Sequence, residues 1–330
     1  SMSPADVHAK GLAEVARIEK RFQAEVLDVL GFKGTFAAFA AQCKADPANH
    51  FTDPEELLAG YRDLCGHITK LLPGYFSRSP AAPLEIVAKD AASAPAAYYM
   101  QGTADGKRPG KFYVNVSNLS ARPKYNMTAL ALHEGIPGHH HQGSLAIEND
   151  SLPSFLRFLE DRRYEFCPAR RQIYAAYLEG WALYCEALGE EMGLYSADPL
   201  RLFGRLSMEM MRAVRLVVDT GIHSQGWSIE EAVEYMSTKT GMHSEECEAE
   251  CYRYEAWPGQ ACAYKVGEIA LWEMRRKAEG ALSGVEAGFD LKAFHDVVLD
   301  HGPLPLSQLA VEVERWTQAR LAQGKDDKAQ

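Results

Sequence analysis

Along most of this chain apolar residues recur with the three-to-four-residue spacing of a helix that buries one face. The opening stretch shows it first. Val7, Leu12, Val15, Ile18, Phe22, Val26 and Leu30 form one stripe, Ser3-Pro4 supplies a cap and a first-turn proline, and Gly31 supplies a stop. The same reading predicts a second helix over 35–45 and a third that opens at Thr52-Asp53-Pro54-Glu55 and runs to 72. From 125 onward the pattern predicts helices at 125–148, 151–167, 168–192, 198–219, 228–239, 243–255, 260–279, 290–299 and 306–322.

One stretch breaks the helical texture. "LEIVAKD", "AAYYMQG" and "KFYVNVS" are short β-favouring runs separated by Pro, Gly and charged turns, and they predict a small antiparallel sheet at 83–117. Its last run, "KFYVNVS", reads as an edge strand that could pair with an extended peptide. The expected architecture is mainly α: an N-terminal helical layer (1–75) on a second part (76–325). The latter comprises the sheet, site-bearing helices at 125–192 and a C-terminal helical portion at 198–322, the whole forming one compact unit.

Composition narrows the function classes. With 330 residues, 47% of them hydrophobic, the chain can bury a core without staples. A formal net charge of −10 and the lack of any Lys/Arg cluster argue against a nucleic-acid partner, and no apolar run approaches the roughly 20 residues of a membrane span. Seven scattered cysteines, none in a CxxC pair, favour a reducing, cytoplasmic compartment. Ser1-Met2 ahead of the Ser3-Pro4 helix start reads as a cloning remnant, so an exported or lipid-anchored protein whose leader was removed fits as well.

The chemistry concentrates in "ALHEGIPGHHHQ". Zinc peptidases place two His at i and i+4 of a helix with Glu between them as general base, yet here the i+4 position after His133 is Pro137. Pro137 cannot donate to the carbonyl of His133, the residue before a proline avoids the α region, and Gly135 and Gly138 add freedom. A break there would bring His139 round to His133, with Glu134 as base and His140 as the fallback ligand if the helix stays straighter. His141 is expected at the surface, and a solvated histidine face is the plain alternative for the whole run. A third ligand is sought among carboxylates on apolar faces. Glu179, beside Ala175, Ala176, Ala182 and Leu183, is the choice, against an ion pair with an arginine; Glu186 is expected behind the ligands.

Together "DGKRPGKFYVNVSNL", "ALHEGIPGHHHQ", "YLEGWALYCEALG", "RLVVDTGIH" and "RYEAWPGQACAYKVG" resemble the family called domain of unknown function 885, a largely bacterial and metallopeptidase-like group, over about residues 80–310. The resemblance implies a gluzincin-like zinc peptidase with one Zn2+ on His133, His139 and Glu179 and with Glu134 as base. It also implies longer relatives with a helical N-terminal half, some of them secreted or lipid-anchored.

Amide hydrolysis needs donors where the oxyanion develops, and Tyr264, His223 and Tyr254 are the candidates. Arg215 and Asp219, at i and i+4, read as an ion pair rather than a clamp for a substrate carboxylate. His243, Cys247 and Cys251 read as a helix face with buried thiols rather than a second metal site. The expected function is therefore a zinc peptidase acting on a peptide or small amide. A metal-dependent hydrolase of a non-peptide amide or ester and an inactive helical binding module are the alternatives.

Overall fold

The computed structural model describes residues 2–92, 94–158, 175–285 and 288–326. Helix α1 (Pro4–Phe22) begins as expected. Ser3 Oγ accepts the Asp6 N–H at 3.2 Å while the Asp6 carboxylate accepts the Ser3 N–H at 2.9 Å, a reciprocal cap. A π-turn at Gln23–Leu27 and the short α2 (Asp28–Leu30) continue it to Gly31, whose φ of 68° ends the helix. Val15, Ile18, Phe22 and Val26 are buried, but Leu12 and Leu30 of the expected stripe face solvent. The wider π-turn rotates the last helical turn about the axis, so Leu27 takes the inward position instead of Leu30.

Helices α3 (Phe36–Ala45) and α4 (Pro54–Leu71) come next, capped by Thr35 and Asp53. Residues before 75 contribute to both hydrophobic cores. Val15, Phe22 and Phe39 pack with Phe203, Met210 and Tyr254, and Leu57, Tyr61 and Ile68 pack with Phe112, Trp181 and Leu188.

The sheet differs from the expected antiparallel one. Strands β1 (Leu84–Lys89), β2 (Ala97–Met100) and β3 (Gly110–Asn115) lie in the order β1-β3-β2, with β1 parallel and β2 antiparallel to β3. "KFYVNVS" is accordingly the central strand, paired on both sides, and offers no free edge to a peptide. The physical reason lies in its side chains: Phe112 and Val114 are buried in the core, whereas the flanking strands carry the charged or exposed Glu85, Lys89 and Met100 that suit an edge.

The expected helix at 125–148 is split into α5 (Met127–Leu130), a π-turn (Ala131–Gly135) and α6 (His139–Glu148). Only one turn, α7 (Ser154–Arg157), forms in the described part of 151–167; the remainder of that expected helix, with 168–174, lies outside the described residues. Then come α8 (Ala175–Glu191), α9 (Pro199–Ser224), α10 (Ile229–Thr240), α11 (Ser244–Ala256), α12 (Ala263–Ala281), α13 (Leu291–Asp300) and α14 (Leu306–Asp326).

Helices α8 and α12 cross at a pair of glycines: a Cβ on Gly180 would stand 2.4 Å from the Gly267 Cα, and one on Gly267 would stand 1.9 Å from the Ala176 carbonyl oxygen. Beneath this crossing Lys265, Glu209, Glu268 and Arg205, all buried, form an ionic cluster with Glu14 and Arg17 of α1. No described helix is long and apolar enough to cross a membrane.

Candidate metal centre

His133 and Glu134 sit in the π-turn, at the buried end of a helix whose Ala129, Ala131 and Leu132 face the core. The chain then leaves helical geometry. Ile136 is extended (φ −119°, ψ 127°), the Ile136–Pro137 peptide is cis, and α6 starts at His139. Two contacts fix the step. The Trp181 indole N–H donates to the Pro137 carbonyl at 2.9 Å, and Gly138 packs so closely on the preceding turn that a Cβ there would lie 1.9 Å from the His133 carbonyl oxygen. Only glycine fits that approach.

The step brings His139 to His133. Their rings lie 4.8 Å apart at 85°, and Glu179 of α8 completes the group: its Oε2 is 3.3 Å from His133 Nε2 and 3.4 Å from His139 Nε2. One ligand atom from each of the three residues lies within 4.8 Å of the others. Two ligands bound tetrahedrally to one zinc at about 2.0–2.1 Å stand about 3.3–3.4 Å from each other, so the spacing suits that ion. Glu179 Oε2 is moreover buried with only these two imidazole nitrogens at hand and no well-aligned hydrogen bond, an arrangement that a cation would relieve.

Behind this group, the Nδ1–H of His133 donates to Glu186 Oε1 at 2.7 Å, which leaves Nε2 free to face Glu179. Arg212 approaches the same Glu186 oxygen at 3.6 Å. Burial would depress the His133 imidazolium, but the Glu179 and Glu186 carboxylates outweigh it and raise the group to about 9. Burial would likewise raise Glu179, yet the two imidazoles hold it well below the usual carboxylate range.

The three consecutive histidines part company. His140 turns to the sheet, with Nδ1 3.2 Å from the Tyr99 hydroxyl, and burial pushes it down to about 4; it is not part of the ligand group. His141, expected at the surface, is fully buried against Phe76 with ring centroids 4.8 Å apart, and burial pushes it down to about 3. The reason is the break: α6 presents its first turn inward, where a continuous helix would have carried it out to solvent.

Of the residues singled out for chemistry, Glu134 is buried next to His133, and Tyr264 in the first turn of α12 places its ring 6.5 Å from that of His133, nearly parallel at 18°. Burial and the Glu179 charge push the Tyr264 phenol up, while Arg215 and Arg212 oppose them. His223 and Tyr254 are placed otherwise. His223 lies within α9, not in a loop after Gly221, and its Nε2–H donates to the Tyr254 carbonyl at 3.1 Å. The buried Tyr254 hydroxyl donates to Glu250 at 2.6 Å and accepts from Arg215 Nε at 3.0 Å.

The anticipated Arg215–Asp219 pair does not form. Arg215 pairs with Glu250 at 3.1 Å, and Asp219 accepts the Gly259 N–H through both oxygens at 3.0 Å. Glu250 and Trp181 escaped the sequence reading. Cys247 and Cys251 are buried thiols, as expected, and the six described cysteines are all free.

A sequence profile for a family described as "Bacterial protein of unknown function (DUF885)" matches residues 1–313. The chain belongs to this DUF885 family. The match takes in the N-terminal helical layer as well as the motifs around the histidines. A similar crystal structure from Colwellia psychrerythraea, described as that of a "putative lipoprotein", is 36% identical with a TM-score of 0.88; the alignment covers 96% of this chain and 53% of that one. A second, from Shewanella oneidensis and described as a "putative lipoprotein of unknown function", shares the fold at 21% identity and a TM-score of 0.73, covering 94% of this chain and 56% of that one. This DUF885 chain thus spans about half the length of the solved structures it resembles, and among proteins of curated function nothing matches.

Proposed function

We propose that the chain is a metallohydrolase, most simply a zinc peptidase. The observation that carries this reading is the convergence of His133, His139 and Glu179 on one point, with a buried Glu179 oxygen that no well-aligned hydrogen bond satisfies. Zinc, when bound, would polarise the scissile carbonyl and make water a nucleophile near neutral pH. The residues of the chain supply the rest. Glu134 takes the proton of the attacking water and returns it to the departing amine, so that water and amide become acid and amine. Tyr264 donates its hydroxyl where negative charge gathers on the carbonyl oxygen. Glu186 holds the His133 ring in one orientation and tautomer.

Protein purified without added metal should carry about one zinc per chain, and Glu134→Gln should keep the ion while losing turnover. A metal-free chain indifferent to added zinc would refute the hydrolase reading and leave the inactive binding module. Cleavage of a peptide library separates a peptidase from a hydrolase of other amides or esters. The descriptions of the two similar structures favour export or lipid anchoring over the cytoplasmic placement drawn from the cysteines, and fractionation of cells expressing the full-length protein decides between them.

A further inference from the structure

Two of the motifs around this site, "RLVVDTGIH" and "RYEAWPGQACAYKVG", do not touch the ligand group through His223 or Tyr254. They meet each other. Arg215 of α9 is buried; its Nε donates to the Tyr254 hydroxyl at 3.0 Å and its Nη2 to Glu250 Oε2 at 3.1 Å, and Arg253 holds the same Glu250 oxygen at 2.9 Å. His223 ties the Tyr254 backbone to α9, and Asp219 ties Gly259, in the turn between α11 and α12. Every one of these bonds fixes the segment that leads into Tyr264, and the Arg215 guanidinium itself ends 4.8 Å from the centroid of the Tyr264 ring, with that of Arg212 at 5.9 Å.

We propose that Arg215 is a positioning residue that holds the Tyr264 ring beside His133 and, through its charge against the ring, favours donation from the phenol. The inference rests on the hydrolase reading for the role of Tyr264, but its geometric half stands without it. A tyrosine at the first turn of a helix has more than one staggered χ1 well open to it, and the ring is held in the one that lies nearly parallel to His133. A guanidinium within about 6 Å of a ring, already desolvated and locked by a carboxylate, selects that rotamer and stabilises electron density moving onto the phenol. Direct capture of a substrate carboxylate fits less well, because the Arg215 Nε and Nη2 donors are already taken by the Tyr254 hydroxyl and Glu250, and a substrate would have to displace them.

The test uses zinc-loaded protein labelled with 3-fluorotyrosine, with the Tyr264 resonance assigned by its loss in Tyr264→Phe. In Arg215→Met that ¹⁹F signal should shift and broaden while zinc content stays at the wild-type level, and Arg215→Lys should shift it less. On any peptide the wild type cleaves, kcat should fall at least about tenfold with KM within about twofold, the mark of an interaction made in the transition state. An unmoved Tyr264 signal would reduce Arg215 to a structural ion pair and overturn the proposal. So would a raised KM for peptides with a free C-terminus, but not for amidated ones, at constant kcat. Should Arg215→Met fail to fold, Glu250→Gln releases the guanidinium and is read in the same way. Should the wild type cleave no peptide, the ¹⁹F spectrum alone decides, separately from the hydrolase reading.

Discussion

The glycine crossing of α8 and α12 should control the proposed metal centre, and Gly267→Ala tests this. A Cβ on Gly267 would stand 1.9 Å from the Ala176 carbonyl oxygen and 2.7 Å from the Gly180 Cα. A carbon resting against a carbonyl oxygen needs about 3.3 Å. The obstruction is backbone on a rigid helix, so relief requires the helices to part by about 1.4 Å. Overpacking of this kind costs about 1–3 kcal/mol. In a chain this size each kcal/mol lowers Tm by about 2 °C, so the variant should melt about 2–6 °C lower.

The second consequence is sharper. Glu179 is the residue before Gly180, and metal sites tolerate errors of only about 0.2 Å in ligand distance. A displacement above 1 Å should weaken zinc binding at least about tenfold. Titration calorimetry of metal-stripped protein with zinc, together with thermal melts with and without the ion, measures both effects. The control is Gly66→Ala in α4, where a Cβ would meet nothing within 4 Å; it should stabilise the fold by about 0.5–1 kcal/mol and leave zinc affinity unchanged. A Gly267→Ala variant with wild-type melting and wild-type affinity would refute the claim that this crossing sets the position of Glu179.

Other outcomes rest on the same geometry. His139→Ala should lower zinc affinity by orders of magnitude while His140→Ala leaves it within about threefold, as titration of the two variants will show. In metal-free protein the raised His133 group contributes stability that is fully present below its unfolded value of about 6.5 and is lost as pH rises through about 9. The Tm of metal-free protein should therefore fall across that window. Zinc binding near pH 7.5 should release about one proton from His133, visible as a buffer-dependent heat. Lys265→Met should cost about 3–5 kcal/mol in chemical denaturation, because it strands Glu268 in the core without its ammonium partner and leaves Glu209 to Arg205 and Arg17 alone.

The features legible in the chain and those hidden from it divide along physical lines. Helices α1, α4, α9 and α10 were legible because each carries its own cap and its own apolar stripe. The break before His139 was legible because a proline removes a donor whatever surrounds it. Glu179 stood out as a carboxylate among alanines and leucine. Glu250, which fixes Arg215, did not: between Glu246, Glu248 and Arg253 it looks like an ordinary solvated face, and only the packing of α11 on α9 reveals its partner. The sheet order was hidden for the same reason, since three short strands fit either a meander or a crossover and the choice is made by the body they pack on. His141 lies in a recess built by Phe76 and His295, positions far away in the chain.

The parting of the three histidines bears on what substitution can do to this protein over time. His139, His140 and His141 face the Glu179 carboxylate, a sheet and a core, each about 100° from the last around the α6 axis. Deleting or inserting one residue between Gly135 and His139 would hand each imidazole its neighbour's surroundings, putting a histidine meant for the sheet against Glu179. The length of that segment is therefore held more tightly than its composition. Drift in these proteins should change letters here long before it changes spacing.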